Sequence, residues 1–98
     1  MAFKIKIEPD ARIDIQEAID WYNKQQKGLG KKFHTAVLSH FDSLKKNPHF
    51  EIRYDFVNCL PLKKFPFMIH FTVDEVNQIV AVRAVFHTSL NPDKWSKR

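Results

Sequence analysis

The sequence predicts an α+β protein in which a helical hairpin packs on one face of a small antiparallel sheet. The expected order is β-α-α-β-β-β, with space for one more strand. Three observations support it: an alternating segment at the start, two helical apolar stripes separated only by "KGLG", and short strand-like segments from Phe50 onward.

The first element is predicted to be a strand with one solvated face. Its apolar and charged residues alternate, as Phe3, Ile5 and Ile7 with Lys4, Lys6 and Glu8. Pro9 should end this strand, and Asp10 is the residue expected to cap the helix that follows.

Two amphipathic helices come next. In the first, "ARIDIQEAIDWYNKQ", apolar residues recur at helical spacing, namely Ile15, Ala18, Ile19 and Tyr22. Lys27-Gly28 should end it, because glycine readily adopts the left-handed conformation. The second carries Leu29, Phe33, Ala36, Val37, His40, Phe41 and Leu44, and should end at Asn47-Pro48.

The remaining segments are short and rich in aromatic and β-branched residues: "FEIRYDF", "CLPLKKF", "FMIHFTV" and "IVAVRAVFH". The last two are joined by "DEVNQ" and should pair antiparallel. Strict alternation in the last strand would put Val80, Val82, Ala84 and Phe86 on one face and Ile79, Ala81, Arg83, Val85 and His87 on the other. Since one face must pack on the helices, Arg83 and His87 are expected on the opposite face, which should be open to solvent or a partner. Trp95 should fold back as an apolar lid.

Composition limits the possible functions. The 98 residues suit one domain, residues 1–98, and 44% hydrophobic content is too high for disorder. A net charge of +5 favours nucleic acid or an acidic protein as partner, although a soluble protein can also simply be basic. No apolar run is long enough for a membrane span, and no signal peptide is recognisable. The single cysteine fits a reducing cytosol.

No metal or cofactor motif is present in the sequence. The five histidines are scattered, the single cysteine lacks a partner at ligand spacing, and two glycines are too few for a phosphate-binding loop. We therefore expect no cofactor. His40 should be a buried or boundary histidine with one hydrogen bond, and His70 a solvated residue on the exposed sheet face.

Basic residues from successive strands form the candidate site: Arg53, Lys63, Lys64, Arg83 and His87. On a shared face they would bind phosphates, with Tyr54 or Phe65 stacking a base. For RNA cleavage, Arg83 and Lys64 would stabilise the pentavalent phosphate and His87 would move the 2′-hydroxyl proton. Alternatively, these residues are only the solvated half of alternating strands. Lys63 and Lys64 point to opposite faces, so only one of them can serve one site.

The hydroxyl groups after His87 are not expected to act as nucleophiles. No acid accompanies Thr88 and Ser89 at triad-like spacing, and nothing in the sequence activates their hydroxyls. They are expected to hydrogen-bond at the strand end.

Four segments together resemble the RelE/ParE superfamily of toxins from bacterial type II toxin–antitoxin modules, of the plasmid-stabilisation type. They are "IDIQEAIDWYNKQQKGLGKKF", "LKKNPHF", "LPLKKFPFMIHFTVDE" and "IVAVRAVFHTSLNPDKW", in that order over nearly the whole chain. The resemblance implies a helical hairpin on a small antiparallel sheet. It also implies a growth-inhibiting toxin silenced by a cognate antitoxin, and the basic surplus suits an acidic antitoxin segment that folds on binding.

The resemblance leaves the target open. RelE-like members cut messenger RNA on the ribosome, whereas ParE-like members inhibit DNA gyrase. This chain has Met68 where RelE-like nucleases are expected to carry an arginine, and Leu90 where many relatives carry a second arginine. It also lacks the C-terminal tyrosine expected of such nucleases, and Trp95 is the nearest aromatic residue to that position. These differences favour DNA gyrase as the target. The alternatives are that the chain is a ribosome-dependent endoribonuclease, or a non-toxic member that only binds antitoxin.

Overall fold

The computed structural model describes residues 3–48, 52–54 and 57–88, and in them two helices pack on one face of a sheet. In chain order the elements are β1 (Lys4–Ile7), α1 (Pro9–Gln25), α2 (Leu29–Lys46), β2 (Ile52–Tyr54), β3 (Val57–Pro61), β4 (Phe67–Asp74) and β5 (Ile79–His87). The described strands are ordered β1-β5-β4-β3-β2. The predicted fold class is confirmed. One pair, β1 with β5, is parallel, so the sheet is mixed rather than antiparallel throughout.

Helix α1 begins two residues earlier than expected. Pro9 is its first residue and Glu8 occupies the cap position, so Asp10 lies in the first turn and is not the cap. Proline suits this position because the first amides of a helix have no intrahelical acceptor to lose. Asp10 still favours the helix, since a carboxylate in the first turn interacts well with the helix dipole.

The turn between the helices depends on two glycines. Gly28 adopts the left-handed conformation with φ 88° and precedes the first residue of α2. Gly30 is at the helix–helix contact, where an added Cβ would lie 2.5 Å from the carbonyl oxygen of Ile19. The backbone N–H of Gly30 also donates to Asn23 Oδ1 at 2.9 Å. These contacts hold α1 and α2 together as the predicted hairpin.

The main core lies between the helices and the sheet. The predicted helical stripes are largely buried there, with Phe33, Val37 and Leu44 of α2 fully enclosed. The sheet contributes the core-facing residues Ile69, Phe71, Val80, Val82 and Val85. Burial of these side chains is the main stabilising contribution to the fold.

Strand β5 departs from the expected alternation at Arg83. Phe71 pairs with Val82 and His70 with Ala84, so Arg83 is an extra residue in β5, a β-bulge. Beyond it the faces exchange: Val85 belongs to the helix-side core, and His87 pairs with the core-packed Phe67. The expectation that Val85 and His87 face away from the helices is therefore wrong. The alternation of apolar and polar residues in the sequence does not reveal that a residue is inserted into the strand.

The opposite face of the sheet is also partly buried. Cys59, His70, Ala84 and Phe86 are each at most 8% exposed. Cys59 Sγ lies 3.5 Å from His70 Nδ1, and the His70 ring meets Phe86 edge-on with centroids 5.0 Å apart. The expectations of an open face and a solvated His70 are therefore wrong at these positions. Apolar neighbours on both adjacent strands enclose the imidazole.

Candidate anion-binding groove

A groove of about 620 Å³ lies between α2 and the connection from β3 to β4. It is lined by Gly28, Lys31, Lys32, Thr35, Ala36, Ser39, His40, Lys63, Lys64 and Phe65. We call this set the lysine groove. The described residues that line it include four lysines and no carboxylate. At neutral pH it therefore presents concentrated positive charge to an anionic ligand.

Helix α2 supplies one wall of the lysine groove. Lys31 and Lys32 lie in its first turn, at the positive end of the helix dipole. Both side chains are exposed. Because the buried stripe of α2 faces the sheet, these lysines are left on its outer side.

The β3–β4 connection supplies the other wall. Lys63 and Lys64 are exposed in this loop. Two backbone hydrogen bonds of 2.8 Å hold the loop, one from Leu62 N to Phe67 O and one from Phe67 N to Phe65 O. The loop places both lysines on the groove, in contrast to the expectation that they point to opposite faces. They lie outside a strand, so period-two alternation does not apply to them.

Phe65 is the aromatic residue of the groove lining. It is half-buried and packs edge-on against Phe33 and Tyr22, with centroids 5.3 Å and 5.1 Å away. Burial raises the pKa of the Tyr22 phenol, so this hydroxyl stays protonated at neutral pH. The cluster fixes Phe65 in place while leaving part of its ring for a ligand.

His40 belongs to the same lining. Its Nδ1 lies 2.7 Å from the carbonyl oxygen of Ala36, an acceptor, so Nδ1 carries the proton in this bond. The predicted boundary position with one hydrogen bond is confirmed. The bond fixes the ring orientation and leaves Nε2 as the second polar atom of the imidazole.

The structure separates the other predicted site residues. His87 is exposed on the helix side of β5, with its ring edge-on to Phe67 at 5.1 Å. Arg83 is exposed at the bulge, four residues or about 13 Å along the strand. Neither residue lines the lysine groove.

Other expectations fall partly or wholly outside the described side chains. Arg53 and Tyr54 are in β2, but their side chains are not among those described, and Ser89, Leu90 and Trp95 lie outside the described residues. Thr88 is described, and its backbone N–H donates to the Pro66 carbonyl at 2.8 Å, which closes the end of β5.

Sequence reasoning missed Lys31, Lys32 and His40 as groove residues. The available signal was the lysine pair at the start of the second helix, next to a glycine turn. Nothing local to that pair indicated that a loop more than thirty residues later would face it. The groove is a tertiary feature, because two distant segments form its walls.

The chemistry of the lysine groove is anion binding. Protonated lysines bind phosphate or carboxylate groups as point charges, and an aromatic ring adds an apolar contact. Among the described side chains, no group of three or more His, Cys, Asp or Glu residues is arranged to hold a metal ion. None of the helices described combines the length and apolar character of a membrane span.

Comparison with known proteins identifies the fold. No protein-family model matches the chain, and no curated protein matches it. A structure of the chromosomal ParDE toxin–antitoxin system from P. aeruginosa matches with a TM-score of 0.77 at 16% identity, over 90% of this chain and 98% of that chain.

Two RelBE structures match over similar lengths. The intact E. coli RelBE toxin–antitoxin complex gives a TM-score of 0.67 at 12% identity, covering 88% of this chain and 96% of that chain. The RelBE2 toxin–antitoxin complex from Mycobacterium tuberculosis gives 0.62 at 13% identity, covering 89% and 99%. The chain therefore has the fold found in these ParDE and RelBE structures, the RelE/ParE fold.

Proposed function

We propose that this chain, which has the RelE/ParE fold, is the toxin of a type II toxin–antitoxin module and is neutralised by a cognate antitoxin. The observation that carries the proposal is the fold match, which spans 90% of this chain and 98% of the chain in the ParDE structure. Fold alone admits many functions. The lysine groove adds a surface on which an acidic partner would bind.

The antitoxin we propose is an acidic segment that is partly disordered when free and orders on binding. Charge complementarity supports this partner, since four lysines line the groove and the whole chain carries +5. Apolar residues of the segment would contact Phe65 and Ala36 in the same groove. Such an interface loses affinity as salt rises, because part of its attraction is electrostatic.

For the target we favour DNA gyrase, inhibited by binding in the manner of ParE. The TM-score with the ParDE structure, 0.77, exceeds the 0.67 and 0.62 obtained with two RelBE structures. Met68 also stands where RelE-like nucleases are expected to carry an arginine. In addition, Arg83 and His87 do not converge with the groove lysines as cleavage chemistry would require.

A ribosome-dependent endoribonuclease is the second candidate, and the lysine groove favours it. Four lysines with an adjacent aromatic ring suit a single-stranded phosphate backbone and a stacked base. For this candidate the sequence predicts Arg83, His87 and Lys64 as the catalytic set and Arg53 and Lys63 as strand-binding residues, although Arg83 and His87 lie outside the groove that Lys63 and Lys64 line.

Growth after induced expression tests the toxin proposal. Expression of the full chain alone should arrest growth, and co-expression of the protein encoded beside its gene should relieve the arrest. Normal growth with abundant, folded protein would contradict it and leave a non-toxic, antitoxin-binding member.

Two assays on purified protein separate the targets. Inhibition of gyrase supercoiling at saturating protein supports the ParE-like target, and unchanged supercoiling counts against it. Messenger cleavage in translating ribosomes supports the endoribonuclease. In that case Arg83→Ala and His87→Ala should each abolish cleavage without unfolding the chain, and cleavage unaffected by both would exclude that site.

A further inference from the structure

A carboxylate of α1 is bonded to the backbone of β5 immediately after the bulge. Asp14 Oδ2 accepts a hydrogen bond from the backbone N–H of Val85 at 3.1 Å, across 71 residues of sequence. Asp14 is half-buried and Val85 is 3% exposed. The amide is therefore shielded from water and depends on this acceptor.

Strand β1 does not extend far enough to pair with this part of β5. The register of the parallel pair ends at Ile7 with Val82, and Glu8 N donates to the Val82 carbonyl at 2.9 Å. The chain then turns into α1 at Pro9. From Arg83 onward, α1 takes the place of β1 beside this edge of β5. Asp14 of α1 supplies the acceptor for the Val85 N–H there.

The bond to Val85 is compatible with only one register of β5. Backbone groups of a strand point alternately to its two neighbours. The carbonyls of Gln78 and Val82 point toward β1. In a regular strand the next residue whose backbone N–H and C=O point to the β1 side would be Ala84. Because Arg83 is inserted, Val85 takes that place, and its N–H reaches Asp14.

We propose that Asp14 is a positioning residue that selects the bulged register of β5. By holding the Val85 N–H, the carboxylate keeps Arg83 as the inserted residue. It thereby keeps His87 on the helix side, against Phe67. Without the carboxylate, a regular strand would direct Val85 to β4 and turn His87 to the opposite face of the sheet.

Nuclear magnetic resonance of the labelled full chain tests this role. In Asp14→Ala, hydrogen-exchange protection of the Val85 amide should fall at least about fivefold, the effect of losing one buried hydrogen bond. The cross-relaxation between the His87 and Phe67 rings should weaken as well. In Asp14→Asn, which keeps a carbonyl acceptor, both signals should be retained.

Asp20→Ala is the matched control, since Asp20 is an exposed carboxylate of the same helix that accepts a hydrogen bond from Gln16, four residues earlier. It should leave the Val85 and His87 signals unchanged. Unaltered Val85 protection and His87–Phe67 contact in Asp14→Ala would overturn the proposal. If Asp14→Ala does not fold, loss of Val85 protection in folded Asp14→Asn would overturn it.

The consequence for toxicity rests on the proposed function and is measured separately. For the endoribonuclease candidate, which uses Arg83 and His87, growth arrest should be lost in Asp14→Ala and retained in both Asp14→Asn and Asp20→Ala. A folded Asp14→Ala that loses the His87–Phe67 contact but arrests growth like wild type would contradict a functional role for this register. If wild type itself does not arrest growth, the proposed function fails while the resonance experiment still decides the role of Asp14.

Discussion

Helices α1 and α2 pack on the same sheet through similar apolar stripes, yet their exposed charges differ: α1 carries three carboxylates beside Arg12 and Lys24, whereas α2 carries four lysines beside Asp42. The outer side of α1 presents the carboxylates of Asp10, Glu17 and Asp20, with Trp21 56% exposed beside them. The exposed charges of α2 are mostly lysines, namely Lys31, Lys32, Lys45 and Lys46. Packing on the sheet requires apolar residues on the buried face of both helices, whereas the solvent-exposed faces are under no such requirement and differ in charge. We therefore propose that partner selection belongs to the part of α2 that forms one wall of the lysine groove, and not to Lys45 and Lys46.

The largest expected effect comes from the buried face that the two helices share. Phe33 is fully buried among Tyr22, Phe65 and Phe67, so Phe33→Ala should lower the free energy of unfolding by about 3–5 kcal/mol. Leu38→Ala on the same helix is the control: Leu38 is 47% exposed, and the change should be far smaller. Denaturant unfolding measures both. Equal decreases in the free energy of unfolding for Phe33→Ala and Leu38→Ala would show that the apolar stripe of α2 does not determine which residues form the core.

A smaller effect is expected where the two helices touch. Gly30→Ala places a Cβ 2.5 Å from the Ile19 carbonyl and 2.7 Å from Asn23 Cγ, so backbone or side chain must shift, at about 1–3 kcal/mol. At Gly28 there is open space for a Cβ, and only the left-handed backbone is penalised, at about 1 kcal/mol. Thermal unfolding of both variants compares them. A neutral Gly30→Ala would mean that α1 and α2 are further apart than the structure has them.

The smallest effect is expected on the outer face of α1. Glu17→Gln with Asp20→Asn alters exposed carboxylates outside the lysine groove, so the free energy of unfolding should change by no more than about 0.5 kcal/mol. Growth arrest should also be unchanged. Loss of growth arrest in a stable double variant would show that α1 also binds the partner or the target. The two helices would then not differ in function.

The helices and the β4–β5 pairing could be predicted because their signals are local, whereas the parallel pairing of β1 with β5 joins distant segments and was not predicted. The stripes of α1 and α2, the hairpin between β4 and β5 and the boundary position of His40 are all encoded within a few turns or a few residues. Apolar spacing determines which face of each such element is buried. The structure agrees with the sequence at these places.

The faces of β5 and the location of the groove could not be predicted in the same way. Val85 and His87 change face because Arg83 is inserted in the strand, and the Val85 N–H next to this insertion donates a hydrogen bond to Asp14, 71 residues earlier in the sequence. Lys31 and Lys32 join Lys63 and Lys64 only because α2 packs beside the β3–β4 connection. Both features are contacts between distant segments, and no periodicity records them.

The most direct measurement is growth after induction of two variants with equal loss of charge. One replaces Lys31, Lys32, Lys63 and Lys64 of the lysine groove with glutamine, and the other replaces the exposed Lys4, Lys6, Lys45 and Lys46 outside it. Circular dichroism first verifies that both are folded. The toxin proposal, with the groove as the surface that binds the antitoxin, predicts that wild type and both variants arrest growth when expressed alone, and that co-expressed antitoxin relieves the arrest by wild type and by the outside variant but not by the groove variant. Relief of the groove variant equal to that of wild type would contradict it.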